Sequence, residues 1–300
     1  MSSRDRLRWI FVGSGGIRAG WSVLIFLLLV ALQFGLVIAI YKAAHGPDPS
    51  HIFTREIPPW FGLLQEVVGF AVMVIATLIM SRIEGRPVVA YGFSGERRLQ
   101  RFAYGAIAGI LAMLTITAIL VFRQNLVIDG RVLHGGAILA YAAVWGLFFI
   151  LVGFTEEGML RGYLQYTLTR GLNFFWAAVI LSIVFAAVHS HNPGESPFGL
   201  FQVIIIGLVF CYSLWLTGSL WWAVGIHAAW DWMQSYALGT ADSGIRMQGH
   251  LLASHPLGPA LWSGGTTGPE GSLYTLPILA ILAAGLYLAW GRNPAGIRTR

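Results

Sequence analysis

The chain has 300 residues, of which 56% are hydrophobic and only 11% charged, with a mean hydropathy of +0.70. A water-soluble domain carries about a quarter of its residues as charges, so this composition excludes a soluble globular protein and predicts an all-α, polytopic integral membrane bundle. The formal charge of +6 from 19 Lys+Arg against 13 Asp+Glu is explained by cationic loops retained in the cytoplasm, and no nucleic-acid partner is expected. The single cysteine, Cys211, excludes an internal disulfide and a thiolate metal centre and reads as a small buried hydrophobe.

In chain order, the first apolar run covers residues 21–41, behind Arg4, Arg6, Arg8 and Arg18. It is too long for the apolar stretch of a secretory signal, about 7 to 15 residues, and has the length of about 20 that spans a bilayer. Further runs follow at 60–80, 102–122, 137–154, 174–188, 199–217, 220–238 and 273–290, which makes eight candidate spans. With the N-terminus inside, 14 of the basic residues fall in cytoplasmic segments, among them Arg82, Arg86, Arg97, Arg98, Arg101, Arg161, Arg170, Arg292, Arg298 and Arg300. Lys42, Arg55, Arg123, Arg131 and Arg246 fall outside. This bias supports an even number of spans with both termini cytoplasmic. Residues 1–300 read as a single transmembrane domain, and residues 239–271 as an extracytoplasmic loop with room for a short re-entrant piece.

The chemistry is expected where the apolar pattern is broken, because an ionisable side chain inside a span is costly unless paired or put to use. Glu157 and Arg161 are four apart on one helical face in the favoured order for an ion pair. Glu156 is turned about 100° away, which leaves its carboxylate free to act as a base or ligand. His189 ends the fifth run and shares a face with Phe185. His227 and Asp231, also four apart, lie in the seventh run. Taken alone, each group has a plain structural reading: an interfacial ionic cluster, an interfacial or hydrogen-bonded histidine, a polar pair that fastens helices.

Together they carry more. Glu156 and His189 lie symmetrically about the turn signal at Gly171, so antiparallel helices folded there bring both to the same depth, roughly 24 Å from the bend at 1.5 Å per residue. A glutamate, two histidines and an aspartate meeting in a bundle can activate water without metal, Glu156 taking the proton while His227 with Asp231 stabilises an oxyanion. Glu156, His189 and His227 are equally a ligand set for catalytic zinc, so Zn²⁺ is a candidate cofactor.

The three motifs Glu156-Glu157-xxx-Arg161, Phe185-xxx-His189 and His227-xxx-Asp231, in this order on successive apolar segments, resemble the CPBP family of intramembrane proteases, which includes the type II CAAX prenyl endopeptidases. The resemblance covers about 137–236 and implies a catalytic core within 137–240. It implies that Glu156 activates the hydrolytic water, that Glu157 and Arg161 support it, and that His189, His227 and Asp231 complete the site. The implied partners are membrane lipid and a membrane-associated protein or peptide substrate, in a bacterial inner membrane. A transporter, or a non-proteolytic scaffold or immunity protein, is the alternative; a proton path would scatter acids along the bundle, whereas only Glu66 stands apart from the one cluster. His191, His250 and His255 are assigned to solvated loops, and Trp221, Trp222, Trp230 and Trp232 to interfacial anchoring and the cavity wall.

Overall fold

A computed structural model describes residues 10–13, 16–45, 56–292 and 294–295. The expected arginines at 4, 6, 8, 55, 298 and 300 lie outside the described residues. Each of the eight apolar runs forms a helix: α1 (Ala19–His45), α2 (Pro59–Glu84), α3 (Arg98–Phe122), α4 (Gly136–Gly171), α5 (Phe174–His189), α6 (Pro197–Thr217), α7 (Trp221–Trp232) and α8 (Thr275–Trp290). Among the described residues, α1, α2, α3, α4 and α6 are long and apolar enough to cross a membrane, while α5 and α8 are shorter apolar helices. The architecture is an all-α polytopic bundle.

Helix ends follow local chemistry. Asn173 begins α5 by accepting the Trp176 backbone N–H at 3.0 Å, and Ser196 begins α6 by accepting that of Gly199 at 3.0 Å. Gly85 and Gly218, at φ 63° and 65°, stop α2 and α6 in the left-handed conformation that favours glycine.

One element departs from the sequence expectation. The apolar run ends at 154, yet α4, 36 residues long in all, continues to Gly171, passing through a π-helical segment at Gly158–Leu164. The polar stretch from Thr155 to Arg161 is therefore no helix end: it faces inward, and the hydropathy dip marks buried polarity. A second π-helical segment, Met233–Ala237, extends α7. Both wide turns follow directly on the ionisable residues, in keeping with the tendency of such turns to occur at functional sites.

Helix α7 is clasped through glycines. A Cβ on Gly105 or Gly109 of α3 would lie 2.1 Å from the Trp222 carbonyl oxygen or 2.6 Å from that of Ile226. Reciprocally, a Cβ on Gly225 would lie 2.1 Å from the Phe102 carbonyl oxygen. On its other side, Gly153 of α4 admits the Val224 carbonyl at 3.0 Å from its would-be Cβ. Small residues let backbones approach in lipid, where dispersion replaces the hydrophobic drive. This clasp fixes the depth and rotation of His227 and Asp231.

At one end of the bundle the loops are folded into a cap. Strand β1 (Glu56–Ile57) pairs in parallel with β3 (Arg246–Met247), and β2 (Leu126–Arg131) pairs antiparallel with β4 (Leu252–Pro256), with an irregularity between Ile128 and Gly130. The turn after α5 joins this cap, as Asn192 Nδ2 donates to the Ser243 carbonyl at 2.8 Å and Thr266 Oγ1 to that of Gly194 at 2.7 Å. The stretch 239–271 is thus a structured lid, with short turns at Ala260–Ser263 and Pro269–Gly271.

The clasp is tested by Gly225→Ala, which drives a methyl group into the Phe102 carbonyl. Overpacking of this kind costs typically about 1–3 kcal/mol. A melt of the purified protein in detergent should show a clear fall in Tm, and an unchanged midpoint would mean that the helices part there without penalty.

Candidate active site

The acidic pair on α4 divides as helical rotation requires. Glu157 is fully buried, at 0% exposure, and accepts from Arg161 Nη1 at 3.0 Å; Arg161 itself is 1% exposed. Neighbouring Glu156 keeps a third of its side chain, 33%, accessible. Burying a charge is expensive without an opposite charge beside it, and the i, i+4 geometry supplies one to Glu157 alone.

The Arg161 guanidinium lies over the Phe185 ring, 4.3 Å from its centre, with Phe210 at 5.6 Å on another side. Space for it comes from Gly207 on α6, where a Cβ would stand 2.6 Å from Nη2. Phe185 and Phe210 also border the imidazole of His227, Phe210 stacked at 5.4 Å between ring centres and Phe185 edge-on at 6.2 Å. The same two aromatic rings therefore hold both cation and imidazole.

His227 is the hub. Its Nδ1 meets Glu157 Oε1 at 3.0 Å, while Nε2 faces Asp231 Oδ2 at 3.3 Å and Glu156 Oε2 at 3.6 Å. With Nδ1 committed to the buried carboxylate, Nε2 is the nitrogen presented to the cavity. Glu157 thus serves two partners, Arg161 on its own helix and His227 on α7; only the first contact could be read from spacing. A carboxylate on the far nitrogen fixes ring orientation, a recurring device where imidazoles do chemistry.

His189 is anchored locally. Its Nδ1 lies 2.9 Å from the Phe185 carbonyl oxygen, and its ring packs edge-on against that of Phe185 at 4.4 Å. Nδ1–H donates to the carbonyl, and Nε2 is left for the cavity.

The cavity has a volume of about 220 Å³ and is lined by Glu156, His189, His227 and Asp231 among others. Four of the six expected residues thus share one cavity, and the other two, Glu157 and Arg161, lie behind its wall. Glu66 of α2, set apart from the cluster by its place in the sequence, also lines the cavity. Asp242 and Glu270 line it too, although the sequence reading passed over them as part of the long loop. Each is an acid in a chain with few, and in the structure each is tied down by hydrogen bonds. Asp242 accepts from Gln234 Nε2 and Ser235 Oγ, both at 3.1 Å, and burial pushes its carboxyl well above the usual carboxylate range, with Asp231 and Glu270 adding to the rise. Glu270 accepts from Trp230 Nε1 at 3.2 Å and Ser243 Oγ at 2.8 Å.

Other expectations divide. His191 is exposed in the turn after α5, and His255 is exposed beside Asp129 at 2.8 Å. His250 is part-buried, with Nδ1 3.1 Å from the Met247 carbonyl oxygen. Trp230 is cavity wall, whereas Trp222 is buried in the core between α3, α6, α7 and α8, so the tryptophans do not act as one set.

The zinc set was tested on donor geometry. Among the described residues, no three His, Cys, Asp or Glu side chains are grouped so as to hold a metal ion. His227 Nε2 is paired with carboxylates, Asp231 Oδ2 at 3.3 Å and Glu156 Oε2 at 3.6 Å.

No curated protein and no solved structure gives a significant match to the chain. Residues 138–233, the segment that supplies Glu156, Glu157, Arg161, His189, His227 and Asp231, match the family model described as type II CAAX prenyl endopeptidase Rce1-like. That segment, about a third of the chain, is thus similar to the type II CAAX prenyl endopeptidases of the CPBP family, and the membrane bundle is built around it.

Proposed function

We propose that the protein is an endopeptidase that hydrolyses a peptide bond of a membrane-associated protein or peptide, with a prenylated CAAX-type chain as one candidate, and that Glu156 activates the water. The observation that carries this is the contrast between neighbouring carboxylates: Glu157 is buried and paired, whereas Glu156 opens on the cavity beside His189, His227 and Asp231. A base must reach both water and substrate, and of the two only Glu156 does.

In the proposed reaction Glu156 takes a proton from water as the oxygen adds to the peptide carbonyl. As an imidazolium, His227 keeps both ring protons, donating a hydrogen bond from Nδ1–H to Glu157 and another from Nε2–H to the developing oxyanion, with Asp231 holding the ring from the same side. His189 adds a second nitrogen at the cavity wall. The C–N bond then breaks, and protonated Glu156 returns the proton to the leaving amine. Arg161 touches none of the reacting atoms in this scheme and acts as a positioning residue through Glu157. No step is routed through zinc, because among the described residues no three of these side chains are grouped to hold a metal ion. We place the protein in a bacterial inner membrane with both termini cytoplasmic, as one transmembrane domain whose core lies within 137–240.

Three measurements examine this reading. Glu156→Gln keeps the shape and removes the base, so turnover of a prenylated CAAX-type peptide or an unprenylated membrane peptide should fall by about 10²–10⁴-fold with Tm unchanged. Near-normal turnover would sink the assignment. Arg161→Met leaves Glu157 buried with only an imidazole partner, and removing one member of a buried pair costs about 3–5 kcal/mol. Its Tm should fall sharply, and adding Glu157→Gln should recover part of the loss; a single variant as stable as the parent would remove the pair's structural role. Finally, cleavage by protein treated with a strong chelator should persist. Loss of activity that stoichiometric Zn²⁺ restores would require the metal-dependent mechanism instead.

A further inference from the structure

The cavity draws its loop residues from one end of the bundle. Its deep wall is made by helix interiors, while its rim is drawn from Ile57, Asn192, Asp242, Ser243, Ile245, Met247 and Glu270, all in or beside the loop cap. The connections at the opposite end, residues 85–97, 172–173 and 218–220, contribute no lining residue. Below the cavity, Arg161 wedged against Phe185 and Phe210, together with buried Glu157, closes the floor. A separate cavity of about 370 Å³ approaches Arg161 from the opposite end, beside Ser94 and Tyr166, and shares no lining residue with the first.

The two ends differ in charge. Among the described residues, the uncapped end carries eight arginines (18, 82, 86, 97, 98, 101, 170 and 292) against Glu84 and Glu96. The capped end carries Lys42, Arg123, Arg131 and Arg246 against five acids, Glu56, Asp129, Glu195, Asp242 and Glu270. Lys and Arg near the ends of spans remain on the cytoplasmic side, and acids contribute little to that bias. The arginine-rich end is therefore cytoplasmic and the cavity mouth extracytoplasmic. The lining itself holds five carboxylates, those of Glu66, Glu156, Asp231, Asp242 and Glu270, and no Lys or Arg, which disfavours entry of a chain-terminal carboxylate.

We propose that this protease takes its substrate from the extracytoplasmic face, as an internal segment of an exported or membrane-anchored polypeptide and not as a cytoplasmic C-terminal tail. The inference rests on the reading of this cavity as the hydrolytic site, and the test separates the two. In full-length protein with Cys211→Ala, Asn192→Cys and Ile245→Cys report the rim and Ser94→Cys the opposite end. A membrane-impermeant maleimide added to intact bacterial spheroplasts should label the two rim cysteines and leave Ser94→Cys untouched until inverted vesicles are used. A membrane-anchored reporter with its cleavable segment facing outward should be cut, and prior labelling of Ile245→Cys should slow that cutting at least tenfold. Rim cysteines that label only in inverted vesicles, or a reporter cut only when the segment faces the cytoplasm, would overturn the proposal. Labelling decides the side without reference to catalysis, and Glu156→Gln in the same cells reports separately whether the cutting depends on this site.

Discussion

The contact on which the rest of the site depends is the buried carboxylate of Glu157, shared between Arg161 on its own helix and His227 on α7. In a low-dielectric interior a lone carboxylate would cost several kcal/mol, and one cation offsets that cost only with good geometry. The geometry is good here because the partners are set by two rigid constraints: the i, i+4 spacing along α4 and the glycine clasp that presses α7 between α3 and α4. Neither constraint involves flexible loops. The imidazole that faces the cavity is consequently oriented from behind by a residue that never enters it.

The π-helical segment at Gly158–Leu164 belongs to the same solution. Burying Thr155 to Arg161 without ending the helix requires the backbone to stay hydrogen-bonded through a region where the side chains change from apolar to ionic. A wider turn keeps the backbone paired while it alters the angular positions of the residues after Glu157. Gly158 and Gly162 remove side chains from that turn; a Cβ on Gly158 would meet the Met73 side chain at 3.0 Å and one on Gly162 the Tyr91 carbonyl at 3.1 Å. The polarity that interrupts the hydropathy pattern is thus carried by a backbone adapted to hold it.

Much of this was legible in the chain because lipid imposes a strict grammar. Each apolar run became a helix, since a backbone among apolar surroundings must satisfy its own hydrogen bonds. The split between Glu156 and Glu157 follows from the helical rotation of about 100° per residue, and the Glu157–Arg161 pair was legible from its four-residue spacing. The turn at Gly171 also follows, with Asn173 as the cap that restarts the chain. What could not be read depended on contacts between distant segments. Nothing near Glu157 in sequence points to His227, seventy positions on, and nothing near Gly207 announces that its missing side chain makes room for a guanidinium. Asp242 and Glu270 were obscured for another reason: in a loop an acid is ordinarily solvated, and only the folding of 239–271 back over the bundle turns these two inward.

A hydrolase inside a membrane must bring water to depth while keeping the bilayer sealed. The capped cavity and the blind one at the arginine-rich end approach the hub from opposite sides, and the separation between them is one layer of side chains: Glu157, Arg161 and the rings of Phe185 and Phe210. An apolar plug would seal equally well, but it could not orient His227. An ionic plug exposed to water would orient it and leak. Pairing the ions fully and covering the guanidinium with aromatic faces meets both demands at once, so the group that aims the imidazole is also the group that closes the path. That double duty accounts for the fact that Glu156, one residue away and turned by about 100°, can remain open to the cavity without opening the membrane.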